Sequence, residues 1–222
     1  MKTVNLQISE LFDRAYAVFQ ANMGLCIGMW FVYGLCNGQS NSSSVSGTGD
    51  EDLDMIILIV VLFFALISFF LGPPIKAGFQ LSYLRMIRDD STVSFSNLFD
   101  GFSVYFRLLF LTILLGIGGL VGMCFCVVPG IIFMLGTWPA YLLVMEDDLD
   151  AVSAVKVAWD LTDGHKMDLF VLGLASFALQ IVGLLLCCIG VYATGPIAEL
   201  MWVAAYDELR QGKGLSLDKT TT

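Results

Sequence analysis

The chain has 222 residues, of which 57% are hydrophobic and only 14% are charged, and its formal net charge is −9. A soluble domain carries about 25% charged residues and a disordered chain is low in hydrophobicity, so both classes are excluded. The acidic balance also excludes a nucleic-acid partner. The composition therefore predicts a membrane protein that crosses the bilayer several times.

Six apolar runs are long enough to form transmembrane helices, which need about 20 mostly apolar residues. In chain order they are Ala17–Cys36, Leu53–Pro74, Tyr105–Met123, Val127–Met145, Met167–Cys188 and the more polar Val191–Tyr206. We therefore predict an all-α membrane protein, formed by a single six-helix domain over residues 1–222.

Glycine and proline residues mark the predicted outer turns between paired spans. The apolar stretch over residues 105–145 is too long for one crossing, and Pro129 and Gly130 near its middle are the breaker that a tight hairpin needs. The same reasoning assigns Gly190, together with Gly195 and Pro196, to the break between the fifth and sixth spans. Both hairpins should then turn within very short loops.

The distribution of Lys and Arg predicts the orientation of the spans. All 11 of these residues lie before span one, between spans two and three, between spans four and five, or after span six, or at the ends of spans that border these segments. The segments that join spans one to two, three to four and five to six contain none. Loops rich in Lys and Arg are cytoplasmic, so both termini should be cytoplasmic, with residues 212–222 as a tail. The Gly- and Ser-rich residues 37–54 are predicted to be a flexible outer loop.

A short motif precedes the first, third and fifth spans. It has apolar residues at positions i, i+3 and i+4, followed by Asp, over Ile8–Asp13, Phe95–Asp100 and Val155–Asp160. This spacing places an apolar stripe on one side of a helix, and beside a span it predicts an amphipathic helix in the inner membrane interface. We therefore predict three repeats of an interfacial helix plus a helical hairpin, over residues 4–90, 91–147 and 148–211.

The second and third interfacial helices also have signals at their ends. Ser94 or Ser96 is expected to cap the second helix, and Asp148 or Asp150 the third. Gly164 is expected to end the third helix. Units that all enter from the same side are parallel repeats, unlike the inverted pairs of many secondary transporters.

Several turns and helix ends together resemble a known family. The matching residues are Lys76–Gly78 after the double proline, Leu98–Phe102, Val128–Ile132, Ala151–Trp159 with Gly164–Lys166, and Gly195–Pro196. They resemble uncharacterised bacterial integral membrane proteins that are similar to the membrane domain attached to some glycerophosphoryl diester phosphodiesterases. The resemblance covers nearly the whole chain and implies a six-helix fold in a bacterial inner membrane. It implies no activity, because its landmarks are turns and helix ends.

Three polar residues within or beside the spans are candidate site residues. Glu199 lies about eight residues from either end of the sixth span, where an ionisable group is costly and by default suggests a function. Lys76 has a nearly equivalent position after the second span, so a pair with Glu199 would form if the two helices meet. The alternative is a structural Glu199 that is protonated or bonded to Thr194 or Gln180. The sequence leaves both interpretations open.

Two pairs of glycines have the spacing that lets helix backbones approach closely in a membrane. They are Gly24 with Gly28 and Gly118 with Gly122. Contacts within the chain and contacts between subunits are both open.

Five of the six cysteines, Cys36 among them, lie near predicted outer ends of spans. Four of the five lie at the two short outer hairpins: Cys124, Cys126, Cys187 and Cys188. Disulfides between the outer hairpins would form in an oxidising compartment, but cysteine is also a common buried apolar residue. The sequence favours thiols that take part in apolar contacts.

The sequence shows no recognisable catalytic group or metal site. His165 is the sole histidine, so a metal site or a Ser-His-Asp triad lacks partners with a recognisable spacing. The acidic run Glu146–Asp150 has the oxygen ligands of a divalent-cation site, but we favour the end of span four and the start of the third interfacial helix. We expect no enzyme activity, no metal and no cofactor.

Two classes of function follow from these features. The favoured one is a non-enzymatic inner-membrane scaffold, accessory subunit or component of envelope and lipid homeostasis, because few polar residues lie inside the spans. The alternative is a small transporter or channel for a lipid-like or small solute, with a cavity near Glu199 and Gln180. Membrane lipids are the expected partners, together with a second copy of the chain or another membrane protein.

Overall fold

The structure, a computed structural model, describes residues 6–36, 51–90, 92–125, 127–185 and 189–213. Within these ranges the regular elements are all helical, which confirms the predicted all-α class. They are α1 (Ile8–Ala21), α2 (Met23–Cys36), α3 (Glu51–Ile87), a 3₁₀ helix (Phe95–Val104), α4 (Tyr105–Phe125), α5 (Val127–Thr137), α6 (Ala140–Asp147), α7 (Ala151–Thr162), α8 (Lys166–Leu185) and α9 (Ile189–Gly212).

Four helical segments have the length and apolar composition to cross a membrane. They are Leu53–Ile87, Phe95–Cys124, Val128–Asp147 and Lys166–Leu185, and α1 with α2 is a fifth if this bent pair forms one span. The four segments contain most of the predicted second to fifth spans, and the bent pair contains the first. The predicted sixth span lies in α9, which is more polar and is not in this set of described helices, so the count of six stays a prediction.

The first predicted span, Ala17–Cys36, is not one straight helix. The chain bends by 98° between α1 and α2, so residues 17–21 belong to the amphipathic α1. At the bend the backbone N–H of Asn22 donates to the carbonyl oxygens of Val18 and Phe19, which ends α1. The remaining α2 has 14 residues and is therefore roughly 20 Å long.

The two predicted breakers have different outcomes. Pro129 and Gly130 lie in the first turn of α5, directly after the chain reverses from α4, where a proline removes no helical hydrogen bond. Gly195 and Pro196 lie inside the continuous α9, so the prediction that they separate the fifth and sixth spans is wrong. A Cβ at Gly195 would overlap the indole ring of Trp30. This glycine therefore serves a close contact between helices and not a turn.

The long helix α3 continues through Pro73 and Pro74 to Ile87, well beyond the predicted end of the second span. Most side chains from Leu53 to Leu71 are exposed, whereas those from Ile75 onward are mostly buried. The N-terminal half of α3 therefore presents an apolar surface suited to lipid. The C-terminal half lies in the core together with α6 and α9.

The 3₁₀ helix lies unusually close to the C-terminal half of α3. A Cβ at Gly78 would overlap the backbone of Leu98, and a Cβ at Gly101 would overlap the backbone of Pro74. Only glycine permits such an approach of two backbones. Two glycines, one from each element, thus fix the position of the 3₁₀ helix.

The predicted ends of the amphipathic helices are confirmed. Ser94 and Asn97 form a capping box at the start of the 3₁₀ helix, and the Asp150 carboxylate accepts a hydrogen bond from the Ser153 amide at the start of α7. Gly164 follows α7 with a φ of +85°, the left-handed conformation that glycine adopts without strain. Helices therefore precede α2, α4 and α8 as the motif predicts, although the second one is a 3₁₀ helix.

Candidate functional site

Six charged side chains from three helices and the C-terminal end of a fourth, α3, meet at one end of the bundle. We call this group the charge cluster, and its members are Arg14, Arg88, Glu146, Asp147, Asp207 and Arg210. Three of them are positive and three are negative, so the cluster is formally neutral. Asp207, Glu146 and Arg210 are the buried members, and buried charges are stable only when they are paired and hydrogen-bonded.

Asp207 of α9 is the most deeply buried member, with a side chain only 1% exposed. Its carboxylate accepts hydrogen bonds from Arg14 of α1 at 3.1 Å and from Nε of Arg88 at 2.8 Å. Gln211, one turn further along α9, donates to the same carboxylate at 2.8 Å. Asp207 thereby ties α1 and the end of α3 to α9.

The second half of the cluster joins α6 to α9. Glu146 accepts hydrogen bonds from Arg88 and, at 2.8 Å, from the hydroxyl of Tyr206, and it lies 3.1 Å from Arg210. Arg210 also donates through both terminal nitrogens to Asp147, at 2.8 and 2.6 Å. This fork is the strong bidentate form of an ion pair.

The hydrogen bonds of Arg88 outweigh the effect of its burial. Burial by itself lowers the pKa of this guanidinium, but the bonds to Glu146 and Asp207 raise the pKa above its ordinary value. Arg88 is therefore held as a cation between two carboxylates that belong to α6 and α9.

The pairing of these charges was not predicted from the sequence. The arginines were used for topology, and the run Glu146–Asp150 was assigned to a helix end, with a cation site as the alternative. In the structure the carboxylates of this acidic run pair with arginines: Arg107 pairs with Asp148, and Arg210 pairs with Asp147. Among the described residues no group of three metal-ligating side chains could hold an ion. An available signal was the equal number of these basic and acidic residues, three of each, near the predicted cytoplasmic ends of the helices.

Glu199 does meet α3, but its partner there is not the one that the sequence suggested. Nε2 of Gln80 donates to Glu199 at 2.8 Å. Lys76 instead lies over the ring of Tyr141, 4.6 Å from its centroid, so no ion pair links these two described residues. One turn of helix separates Gln80 from Lys76, and the contact between α3 and α9 selects Gln80.

Gln80 is itself an unusual residue, because it is only 4% exposed and its Oε1 has no hydrogen-bond partner among the described residues. Gln180 lies elsewhere and accepts a long hydrogen bond of 3.4 Å from Thr194. Thus the structure brings Glu199 together with Gln80, and Gln180 together with Thr194. The suggested bonds from Glu199 to Gln180 or Thr194 are not formed.

The predicted glycine contacts are confirmed for one pair. A Cβ at Gly118 would overlap the ring of Phe133, and a Cβ at Gly122 would lie 3.0 Å from the Cα of Gly130. Gly118 and Gly122 therefore let α4 approach α5 within one chain.

The other glycine pair behaves differently. A Cβ at Gly28 would lie 3.2 Å from a ring carbon of Phe95. A Cβ at Gly24 would have no neighbouring atom within 4 Å among the described residues. The four-residue spacing alone therefore does not create an interface in α2.

Cys124 is a free and exposed thiol, so the suggested disulfide is not formed at this position. The other three cysteines of that suggestion, Cys126, Cys187 and Cys188, lie outside the described residues.

A cavity of about 560 Å³ lies between α1, α8 and α9 and is lined mainly by apolar atoms. Its lining residues are Ile8, Ser9, Phe12, Asp13, Ala175, Ala178, Leu179, Val182 and Met201. Neither Glu199 nor Gln180 lines it, so this cavity is not the one that the transporter interpretation needs.

No protein-family model, curated protein or solved structure matches the chain. The resemblance of its turns and helix ends to bacterial membrane proteins, and the location that it implies, therefore stay predictions. The function has to be inferred from the chemistry of the residues themselves.

Proposed function

We propose that the protein is a non-enzymatic integral membrane component that acts on lipids of the cytoplasmic leaflet, as a scaffold or a factor in lipid homeostasis. In this proposal six helices cross a bacterial inner membrane in three repeats, with both termini cytoplasmic. The geometry of α1 carries the proposal. One side of α1 is held by the 3.1 Å ion pair between Arg14 and Asp207, while Phe12 and Tyr16 remain exposed on another side.

Exposed aromatic rings on two of the amphipathic helices support this placement. The rings of Phe12 and Tyr16 stack with their centroids 6.0 Å apart. Four further rings contact one another in sequence along the 3₁₀ helix and the start of α4: Phe99, Phe102, Tyr105 and Phe106. Interfacial helices insert apolar and aromatic side chains of this kind into the boundary between headgroups and acyl chains.

Polar contacts connect each amphipathic helix to the same end of the bundle. Arg85, in the last turn of α3, pairs with Asp100 of the 3₁₀ helix at 3.0 Å, and Arg14 donates to the carbonyl oxygen of Ile87 at 3.2 Å. Lys213, after α9, donates to the carbonyl oxygen of Asp160 in α7. These contacts support the proposed arrangement, in which the three amphipathic helices lie at a single leaflet.

Lipid order in reconstituted vesicles tests the proposal. We expect the purified protein to raise headgroup-level order, measured with a polarity-sensitive membrane dye, in vesicles of phosphatidylethanolamine and phosphatidylglycerol. The double variant Phe12→Ser/Tyr16→Ser should lose most of this effect. A matched pair of exposed rings on α3, replaced as Phe63→Ser/Phe64→Ser, should keep it. The proposal is wrong if the wild-type protein leaves lipid order as it is in protein-free vesicles.

The transporter interpretation has one observation in its favour, the buried Gln80 with an unpaired Oε1 beside Glu199. An intramembrane site with spare hydrogen-bonding capacity is typical of a polar pathway. Solute or ion flux through the same vesicles distinguishes the two functions. Flux above that of protein-free vesicles that is lost in Glu199→Gln would favour transport, whereas wild-type flux no higher than that of protein-free vesicles would favour the scaffold.

A further inference from the structure

We infer that the cavity between α1, α8 and α9 holds the acyl chain of a membrane lipid with an amine headgroup, and that Asp13 at its rim binds the amine. This inference rests on the proposed function, since it requires α1 to lie in the membrane interface. It goes further by naming the lipid class and the residues that select it.

The shape and lining of the cavity fit an acyl chain. Its volume of about 560 Å³ lies within the roughly 300–1,000 Å³ of small-molecule sites. Leu179 and Val182 belong to α8, a candidate membrane span, and Met201 completes the apolar lining from α9. Other side chains of α8, such as Phe177, are exposed around it. Lipid therefore surrounds the opening once α8 lies in a bilayer.

The charges on α1 select the headgroup. Ser9 and Asp13 are the polar lining residues, and Asp13 forms no ion pair with any described residue. The adjacent cation, Arg14, is already engaged by Asp207 and by the carbonyl oxygen of Ile87. An anionic headgroup would meet an unpaired carboxylate, whereas a primary ammonium group would pair with it.

Native mass spectrometry of the full chain in detergent micelles tests the acyl-chain site. Delipidated protein is titrated with phosphatidylethanolamine, and the bound copies are counted. Ala178→Phe should fill the cavity and weaken retention of the lipid by about 10-fold, because two or more lipid methylenes lose their contacts. Ala65→Phe, on the exposed surface of α3, is the matched control and should bind as the wild type does.

The headgroup is tested by competition with phosphatidylglycerol. Asp13→Asn should reduce the preference for phosphatidylethanolamine by roughly 2- to 5-fold, the value of an exposed ion pair. Asp89→Asn, at another exposed acid with a φ of 58° that asparagine tolerates, should keep the preference.

Two outcomes would overturn the inference. Equal lipid retention by Ala178→Phe and the wild type would show that the cavity holds no acyl chain. A change from dimer to monomer in Ala178→Phe, with lipid retention unchanged, would show that a second copy fills it. Either result leaves the vesicle-order experiment unaffected, so failure of this inference and failure of the proposed function are distinguishable.

Discussion

Replacement of Arg88 by methionine tests whether the charge cluster holds the helix ends together. In the structure Arg88 bonds to Asp207 and Glu146, whose side chains are 1% and 6% exposed. Arg88→Met keeps a long apolar side chain but leaves the cluster with a net charge of −1. We expect the bundle to lose stability because the buried carboxylates of Asp207 and Glu146 each lose one of their two cationic partners.

The size of this loss follows from what remains in the cluster. Removal of one partner from a buried ion pair typically costs about 3–5 kcal/mol. Arg14 still contacts Asp207, and Arg210 still contacts Glu146, so we expect the lower end, about 3 kcal/mol. That loss is more than a 100-fold decrease in the ratio of folded to unfolded protein.

The same substitution at an exposed ion pair is the matched control. Arg107 pairs with Asp148, and their side chains are 44% and 73% exposed. Surface pairs contribute roughly 0–1 kcal/mol, so Arg107→Met should change stability little. The measurement is unfolding by sodium dodecyl sulfate in mixed micelles, followed by tryptophan fluorescence, because Trp138 contacts Tyr206 beside the cluster.

A double variant separates charge from lost packing. Glu146→Gln added to Arg88→Met makes the cluster neutral again, so the double variant should be more stable than the sum of the single losses predicts, by about 0.5–3 kcal/mol. The reasoning is refuted if Arg88→Met costs no more than Arg107→Met, or if the two changes in the cluster are additive.

Three further predictions concern single residues. Gly101→Ala should destabilise the protein by about 1–3 kcal/mol in the same unfolding measurement, because its Cβ would overlap the backbone of α3, whereas Gly24→Ala, with open space around it, should not. Gln80→Leu removes the donor from Glu199 and should cost about 1–3 kcal/mol, whereas Glu199→Gln keeps a hydrogen bond and should cost less; equal losses would contradict this. Hydrogen bonds at the start of α7 lower the pKa of Asp150, so its stabilising effect is complete above the ordinary Asp pKa and is lost as pH falls through the folded pKa. Protection of the α7 amides, measured relative to their intrinsic exchange rate at each pH, should therefore fall on acidification in the wild type, whereas in Asp150→Asn, which caps without titrating, it should not.

Local features of the chain could be predicted from the sequence because they depend on neighbouring residues. Ser94, Asp150 and Gly164 act at helix ends within a few residues of their own position. Apolar runs indicate the candidate spans, since bilayer thickness sets their length. The amphipathic stripe of α1 follows from a spacing of three and four residues.

Breaks within helices were harder to predict. Pro196 resembles a turn signal in the sequence, yet α9 continues through it, with the ring of Trp30 against the preceding Gly195. Conversely, the bend at Asn22 has no proline or glycine at that position to announce it. At Pro196 the local sequence suggests a break that does not form, and at Asn22 the chain bends without a local signal. Tertiary contacts therefore decide both places.

The candidate site was the part that the tertiary structure decided. The hydrophobic composition and the positions of Lys and Arg are properties of the sequence alone, and they predict a membrane protein and an orientation. That Arg14 meets Asp207, and that Glu199 meets Gln80 and not Lys76, depends on the rotation of α9 against α1 and α3. A difference of one helical turn changes the partner of Glu199. The spacing of residues along the sequence does not say which turn of α3 that partner occupies, because Gln80 lies more than 100 residues away.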